Sequence, residues 1–228
     1  MAVGYNPKVV TDGLVLALDA GSTKSYPGSG TTWTDLSGKG NTGTLPDSGV
    51  SFDSSDGNGS IVYDGSTNGS APVYTTSFNS NGGSLEVWCK VTQTNSYRHI
   101  AGWRYSGNNF YILLLSGSGV VEARYQSSAY DINTSNYGTS FWANNWNQVV
   151  FTVDPGNETK LYINGVNVGS ESHSGTFTSN TDNLNFARNT STSIGASAQK
   201  HSSVKVYTKV LTATEVKQNY DALKGRYA

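Results

Sequence analysis

The side chains that most often do acid–base or nucleophilic chemistry are sparse in this chain. Its glutamates number five and its histidines three, namely Glu86, Glu122, Glu158, Glu171, Glu215, His99, His173 and His201. The histidines are far apart and show no signature context for a Ser/His/Asp set, so each is predicted to be a surface or loop residue rather than a catalytic base. These residues predict no catalytic centre.

Cys89, the single cysteine, is a core residue by its spacing. It lies in the run 84–91, where Leu85, Val87, Cys89 and Val91 fall on one face of a strand. We therefore expect a small buried side chain rather than a nucleophile. A lone cysteine also excludes an intrachain disulfide.

Aromatic residues with polar neighbours indicate binding chemistry instead. A sugar is expected to bind on an exposed ring flanked by hydrogen-bonding side chains. The best cluster, together with aromatics expected across the sheet, is Trp103, Arg104, Tyr105, Asn109, Tyr125 and Tyr130. For Trp103 and Tyr105, exposure beside the Gly107 turn and core packing are equally compatible with the sequence. Other tryptophans are alternatives, although Trp88 and Trp146 are expected in the core.

Composition and charge exclude several partners. Fifteen Lys and Arg balance sixteen Asp and Glu for a net charge of −1, and no basic block occurs. Nucleic acid is therefore not an expected partner, and no polybasic membrane patch is present. The apolar run 14–18 is too short for a signal peptide and is closed by Asp12 and Asp19. We expect a protein without an export signal.

Short alternating runs separated by Gly, Ser and Asn predict an all-β antiparallel sandwich. Strands are expected near 14–19, 60–65, 84–91, 99–104, 110–115, 120–125, 147–153, 160–163, 166–168, 184–187, 193–195 and 203–207. Asn164-Gly165 between two apolar runs predicts a tight hairpin.

One short helix is predicted at the end of the chain, over about 212–224. Thr212 and Glu215 fit a capping box, and Gly225 would stop the helix. Val216, Tyr220 and Leu223 share one face, which we expect to dock on the sandwich edge. Residues 1–12 read as a polar lead-in, so a single domain is predicted over 13–228.

Four segments in this order resemble the concanavalin A-like lectin/glucanase superfamily, in its laminin-G-like branch. They are the Trp33…Asp35-x-Ser37-Gly38-x-Gly40-Asn41-x-Gly43 loop, the Ile61–Gly65 strand, the Trp146…Gly165 hairpin and the Val206…Glu215 tail. The resemblance covers roughly residues 13–224 and implies a concanavalin-like sandwich or jelly roll. One departure is 195–203, where the family often has an aromatic-x-Gly step, and this puts a ligand loop at that edge in doubt.

The resemblance implies further expectations about chemistry. Glucanases of the superfamily carry Glu-x-Asp-x-Glu on one strand, and no glutamate here fits that pattern, so a non-enzymatic protein is expected and a polysaccharide hydrolase is the less favoured alternative. Many relatives bind calcium, for which the candidate ligands are Asp35, Asn41 and Asp64. The competing interpretation is that Asp35 and Asn41 cap Asx turns in a Gly-rich loop.

The opening segment 5–15 and the ending segment 219–227 resemble surface proteins of tailed bacteriophages. This implies a virion-surface structural protein of the capsid decoration, fibre or knob type, made in the host cytoplasm. It would contact other virion proteins, form a homo-oligomer by symmetry, and adhere to a host-surface polysaccharide. The alternative is a calcium-dependent carbohydrate-binding lectin or adhesin.

Overall fold

The protein folds into two antiparallel sheets packed face to face. The computed structural model describes residues 7–228 except 75–77, 79–80, 93–97, 106–107, 115–118, 126–131, 136, 175–180 and 188–197, and it describes only the backbone at 104, 105, 108, 109, 111, 113 and 114. The antiparallel β-sandwich expected from the sequence is confirmed. The predicted strand at 193–195 lies outside the described residues.

The first sheet, sheet A, contains eight of the described strands. Its spatial order is β14 (Val166–Ser172), β13 (Glu158–Ile163), β12 (Asn147–Asp154), β7 (Gly83–Val91), β16 (Ala198–Tyr207), β5 (Ser60–Asp64) and β4 (Val50–Asp53), with β1 (Leu14–Asp19) also paired to β16. The long central strand β16 pairs with β5 through its first half and with β1 through its second. The two ends of the chain are thereby joined in one sheet.

The second sheet, sheet B, also contains eight described strands, several of them very short. Its order is β11 (Ile132–Asn133), β10 (Val121–Tyr125), β9 (Asn108–Leu114), β8 (Arg98–Tyr105), β15 (Leu184–Phe186), β6 (Gly69–Ala71), β3 (Gly43–Thr44) and β2 (Thr32–Trp33). The strand predicted near 184–187 is confirmed as β15. The other two- and three-residue strands of this sheet, β11, β6, β3 and β2, were not predicted, because so short a run carries no readable alternation.

The core lies between the sheets and follows the alternation of the sequence. On β7, Leu85, Val87 and Cys89 are fully buried within it. Each large apolar side chain buried in this way contributes roughly 1.5–3 kcal/mol. Glu86 and Trp88 point to the opposite, outer face of sheet A, where the candidate site described below lies.

The Asn164-Gly165 hairpin is confirmed. Its two turn residues have φ of 53° and 78°, both in the left-handed region that this turn requires. The turn joins β13 to β14 with Ile163 opposite Val166. It also lies against the C-terminal helix, since a Cβ on Gly165 would come within 2.9 Å of the Lys217 side chain.

Helix α2 (Ala213–Leu223) has the predicted capping box, in which Thr212 Oγ1 accepts from Glu215 N and Glu215 Oε2 accepts from Thr212 N. Two expectations were wrong. The helix lies over the outer face of sheet A rather than on an edge, and Gly225 does not stop it, because a 3₁₀ turn continues through Lys224–Arg226.

Helix α1 (Thr139–Asn144) was not predicted. Its Trp142 is fully buried and donates its indole N–H to Gly119 O at 2.8 Å. No helix among the described residues is both long and apolar enough to cross a membrane.

A candidate binding cleft beside the C-terminal helix

A buried polar network fixes α2 on sheet A. Asn219 Nδ2 donates to Glu86 Oε2 at 2.7 Å and to Tyr207 Oη at 3.0 Å, while its Oδ1 accepts from Val10 N at 2.8 Å. Lys205 pairs with Glu86 at 3.1 Å. These side chains are all at least nine-tenths buried. Removal of one of these side chains would leave its buried partners without a hydrogen bond, so the network holds the helix in this position.

An aromatic cleft of about 380 Å³ opens at the C-terminal end of α2. Pockets of about 300–1,000 Å³ with apolar walls and a few polar groups are typical of ligand sites. We call this the aromatic cleft; its lining residues are Trp88, Trp146, Tyr220, Lys224, Gly225, Tyr227 and Ala228. Trp88 stacks on Tyr220 and Tyr227, with ring centroids 5.8 and 4.1 Å apart.

Trp146 is held in the cleft wall from three sides. Its indole N–H donates to Asp56 Oδ1 at 2.7 Å, and Lys90 Nζ lies 5.6 Å from its ring centre. Gly57 lies against the ring, with φ of 65°, where a Cβ would come within 2.6 Å of the indole. Lys90 and Lys200 both pair with Asp56, so this carboxylate is neutralised while it orients the ring.

Arg226 anchors the segment that carries Tyr227. Its guanidinium donates to Asp19 Oδ1 at 2.6 Å, to Ser202 Oγ at 2.7 Å and to Gly57 O at 2.8 Å. A guanidinium presents several donors in a fixed plane, which suits such a multiple contact. The Tyr227 wall is therefore pre-formed rather than loose.

The rim of the cleft carries exposed cations. Lys217 and Lys224 each lie 5.6 Å from the Tyr220 ring centre and both pair with Asp221. The hydrogen bond to Asp221 raises the pKa of Lys224, so its amine is charged at neutral pH. Tyr220 is half-buried, so part of its side chain is accessible from the cleft.

A second cavity of about 340 Å³ lies at the N-terminal end of α2, and its lining includes three charged side chains. Its lining residues are Thr152, Asp154, Glu158, Lys160, Tyr162, Val210, Leu211, Thr212 and Ala213. Asp154 and Glu158 face each other across the hairpin. Lys160 pairs with Glu158, and Asn157 Nδ2 donates to Asp154 at 2.8 Å. Each carboxylate is thereby held by a local partner.

The structure corrects two predicted glycan contacts. Trp103 is fully buried and donates its indole N–H to Val73 O at 2.6 Å, and Tyr125 is 2% exposed and packs on the His173 ring. Both rings serve the core because their strands turn these residues toward sheet A, so neither offers a face to a sugar. The other predicted contacts lie outside the described residues or side chains: Arg104, Tyr105, Asn109 and Tyr130.

The predicted calcium ligands do not form a fitting set. Asp35 is buried, and its two oxygens accept hydrogen bonds from Ala17 N, Ser37 N, Ser37 Oγ and Asn41 N at 2.7–3.0 Å. This is the Asx-turn arrangement, and it leaves few lone pairs for a cation. Asp64 lies apart at the end of β5 and accepts from Ser66. In the part of the chain that is described, no three His, Cys, Asp or Glu residues are grouped to hold a metal.

The three histidines are all buried. His173 lies in a loop after β14, one of the positions expected, whereas His99 and His201 lie in strands, contrary to the surface or loop positions expected for them. His99 and His201 are in central strands of the two sheets, and a strand that is covered on both faces buries polar residues as well as apolar ones. None of the three lines either cavity.

The aromatic cleft itself was missed from the sequence. Trp88 and Trp146 were assigned to the core, and Tyr220 to an edge-docked helix face. The second cavity was also missed, because carboxylates were sought along single strands. Asp154 and Glu158 lie between the strands predicted at 147–153 and 160–163, and the observed register of β12 and β13 places them opposite each other.

Comparisons with known proteins agree with this architecture. A laminin-G-like family model, described as concanavalin A-like lectin/glucanases superfamily, matches residues 64–217. The binding domain of Paraclostridial mosquitocidal protein 1 superposes with a TM-score of 0.70 at 18% identity, over 92% of this chain and 52% of that one. The botulinum neurotoxin type G receptor binding domain gives 0.65 at 18%, over 92% and 51%.

A third similar structure is the Trypanosoma rangeli sialidase in complex with 2,3-difluoro-KDN, with a TM-score of 0.71 at 11% identity, over 95% of this chain and 33% of that one. The chain thus spans between a third and about half of these proteins, and at such identities the likeness shows the fold alone. No curated protein sequence matches significantly. Since the family match spans more than half of the 228 residues, the chain belongs to the concanavalin A-like lectin/glucanases superfamily.

Proposed function

We propose that this chain is a non-enzymatic carbohydrate-binding domain and that the aromatic cleft receives the sugar. The observation that carries the proposal is the convergence of four aromatic side chains and a charged lysine around one cleft. Aromatic rings provide contact area for the apolar faces of a sugar, and Tyr and Lys supply polar tips for its hydroxyls.

Tyr220 is the residue on which this binding depends most. Its ring is half-buried, so one part packs on Trp88 while another faces the cleft. Lys224 beside it is charged and half exposed, which makes it available to a sugar hydroxyl. Trp88, Trp146 and Tyr227 hold the cleft in shape and limit the ordering needed on binding.

Binding rather than catalysis is proposed because the cleft has no carboxylate side chain in its described lining. Glycoside hydrolysis generally needs two carboxyl groups flanking the bond. The facing pair Asp154 and Glu158 belongs to the other cavity, and each is held by Asn157 or Lys160. The fold neighbours support binding, since two of them are named binding or receptor-binding domains.

A glycan-array screen in calcium and in chelator tests this proposal. We expect specific binding by the wild type in both conditions, loss in Tyr220→Ala, and no change in Tyr74→Ala, a matched control on an exposed tyrosine elsewhere. Reducing sugar released from bound glycans would contradict the non-enzymatic role. Binding lost only in chelator would favour the calcium-dependent lectin and restore Asp35, Asn41 and Asp64 as ligands.

We propose as the setting a bacteriophage virion surface, where the domain would contact other virion proteins or further copies of itself. The resemblance of the two end segments supports this, and those segments pack side by side. Gln218 Nε2 donates to Lys8 O at 2.7 Å, and Val10 N donates to Asn219. One surface therefore combines both proposed attachment elements.

Particle incorporation of surface variants tests the attachment proposal. Deleting the N-terminal segment would remove the buried Val10, and deleting the helix would expose Val10 and Tyr207, so point changes are preferable. Lys8→Glu combined with Thr214→Glu alters only exposed positions and is expected to leave folding intact. Loss of incorporation is the expected result, and normal incorporation of the folded variant would contradict attachment through this surface.

A further inference from the structure

Two buried polar side chains beneath the aromatic cleft make no hydrogen bond to the described protein. Gln148 on β12 lies directly opposite Trp88 on β7, so both project from the outer face of sheet A. Gln148 is fully buried and Trp88 is 1% exposed. The amide oxygen and nitrogen of Gln148 and the indole nitrogen of Trp88 are all without a partner.

This arrangement is costly, and the adjacent outer-face residues on β7 and β12 do not share it. A buried donor or acceptor left unsatisfied costs about 1–3 kcal/mol, and native proteins keep few of them. The neighbouring outer-face residues of the same two strands are all satisfied or apolar: Glu86 binds Lys205 and Asn219, and Val150 packs in the small cluster under α2. An apolar residue of similar length at position 148 would remove two of the three unpaired atoms, so stability alone does not account for Gln148.

We propose that Gln148 and Trp88 form a polar floor for the aromatic cleft, which binds a hydroxyl group of a neutral sugar. The inference rests on the proposed function and names its ligand class. Trp88 already lines the cleft, whereas Gln148 is buried beside it and is not a lining residue, so its contact to the sugar runs through one ordered water, which costs little in affinity.

The hydrogen-bond donors and acceptors of Gln148 and Trp88 favour a neutral ligand. Gln148 offers two N–H donors and one oxygen acceptor, and Trp88 adds one donor, so the pair suits a hydroxyl, which both donates and accepts. A carboxylate or sulfate placed here would face the Gln148 amide oxygen, which only accepts hydrogen bonds. An ammonium would face the N–H groups of Trp88 and Gln148, which only donate them. Neither kind of charge is matched by the floor.

The test is the Kd of neutral and uronic-acid oligosaccharides for Gln148→Met, which keeps the side-chain length and removes the amide. We expect roughly tenfold weaker binding of the neutral sugar, the loss of one or two hydrogen bonds, with an unchanged or higher Tm. Thr152→Val is the matched control, a buried polar residue on the same strand and face that lines the other cavity, and its affinity should equal that of the wild type.

Unchanged affinity in Gln148→Met, or tighter binding of the acidic sugar by the wild type, would overturn the inference. If Gln148→Met does not fold, Trp88→Phe takes its place, because it removes the indole N–H while keeping a ring. We expect it too to bind the neutral sugar roughly tenfold more weakly. Loss of binding in Tyr220→Ala with full binding in Gln148→Met would leave the proposed function standing and remove only this inference. Absence of sugar binding in the wild type would remove both.

Discussion

At the scale of single residues, the alternation of apolar residues along a strand predicted correctly that Cys89 is buried. It did not predict which face of the sheet the aromatic side chains lie on or what covers them. Cys89 lies in the core with Leu85 and Val87, as its spacing indicated. Trp103 was open between surface and core, and it is core because the register of β8 turns it toward sheet A. Trp88 is as buried as expected, yet it faces α2 rather than the sandwich interior. Sequence alternation tells which residues share a face, but it does not tell what covers that face.

The thiol of Cys89 should be inert in the folded protein. Burial raises its pKa to about 12, and the thiolate is the reactive form. We expect no labelling by an alkylating reagent at pH 8 under native conditions and stoichiometric labelling in denaturant, measured by intact mass. Rapid labelling of the native protein would show that the core around β7 opens to solvent.

His201 should make stability fall in acid. Burial lowers its pKa to about 3, whereas the unfolded chain has an ordinary value near 6.5. As the pH falls from about 6.5 towards 3, the unfolded state binds a proton that the folded state does not, and the free energy of unfolding decreases. The contribution is complete above pH 6.5.

Urea denaturation of the wild type and His201→Gln at pH 7 and pH 4.5 measures how much His201 contributes to the free energy of unfolding. The variant should lose less stability between the two pH values than the wild type, whatever its stability at pH 7. An equal loss in both proteins would mean that His201 is protonated in the folded state as readily as in the unfolded one.

At the scale of elements, the sequence predicted correctly those features that depend only on residues close together in the chain. The capping box of α2 and the Asn164-Gly165 turn each depend on residues within four positions, and both were predicted. The buried face of α2 was only partly predicted. Asn219 lies at its centre, where an amphipathic pattern expects an apolar residue, because its partners Glu86 and Val10 come from 133 and 209 positions away.

Replacing Asn219 should therefore destabilise the protein strongly. Asn219→Leu leaves the Glu86 carboxylate, the Val10 N–H and the Tyr207 hydroxyl short of a partner, and we expect a loss of about 2–4 kcal/mol in the free energy of unfolding. Lys217→Ala, at an exposed position on the same helix, should change it by less than about 0.5 kcal/mol. Similar values for the two variants, from urea denaturation, would show that the network does not fix α2.

At the scale of the whole molecule, the sandwich class and the positions of its longer strands were accessible from the sequence, and the binding cleft was not. The cleft joins β7, the residue before β12, the end of α2 and the 3₁₀ turn after it, segments that are far apart along the chain. No spacing rule relates Trp88 to Tyr227. The cleft forms only when α2 lies across the outer face of sheet A. The hydrogen bonds of Asn219 and Arg226 hold α2 and the residues after it in that position.

The central claim is that this cleft binds carbohydrate. Its most direct test is a calorimetric titration of the best neutral oligosaccharide from the array into the wild type, Tyr220→Ala and Tyr74→Ala. We predict that Tyr220→Ala weakens the Kd at least roughly tenfold, the loss of one ring contact of about 1.4 kcal/mol, while Tyr74→Ala matches the wild type. Equal affinity of all three folded proteins would place the sugar elsewhere on the molecule and contradict the account.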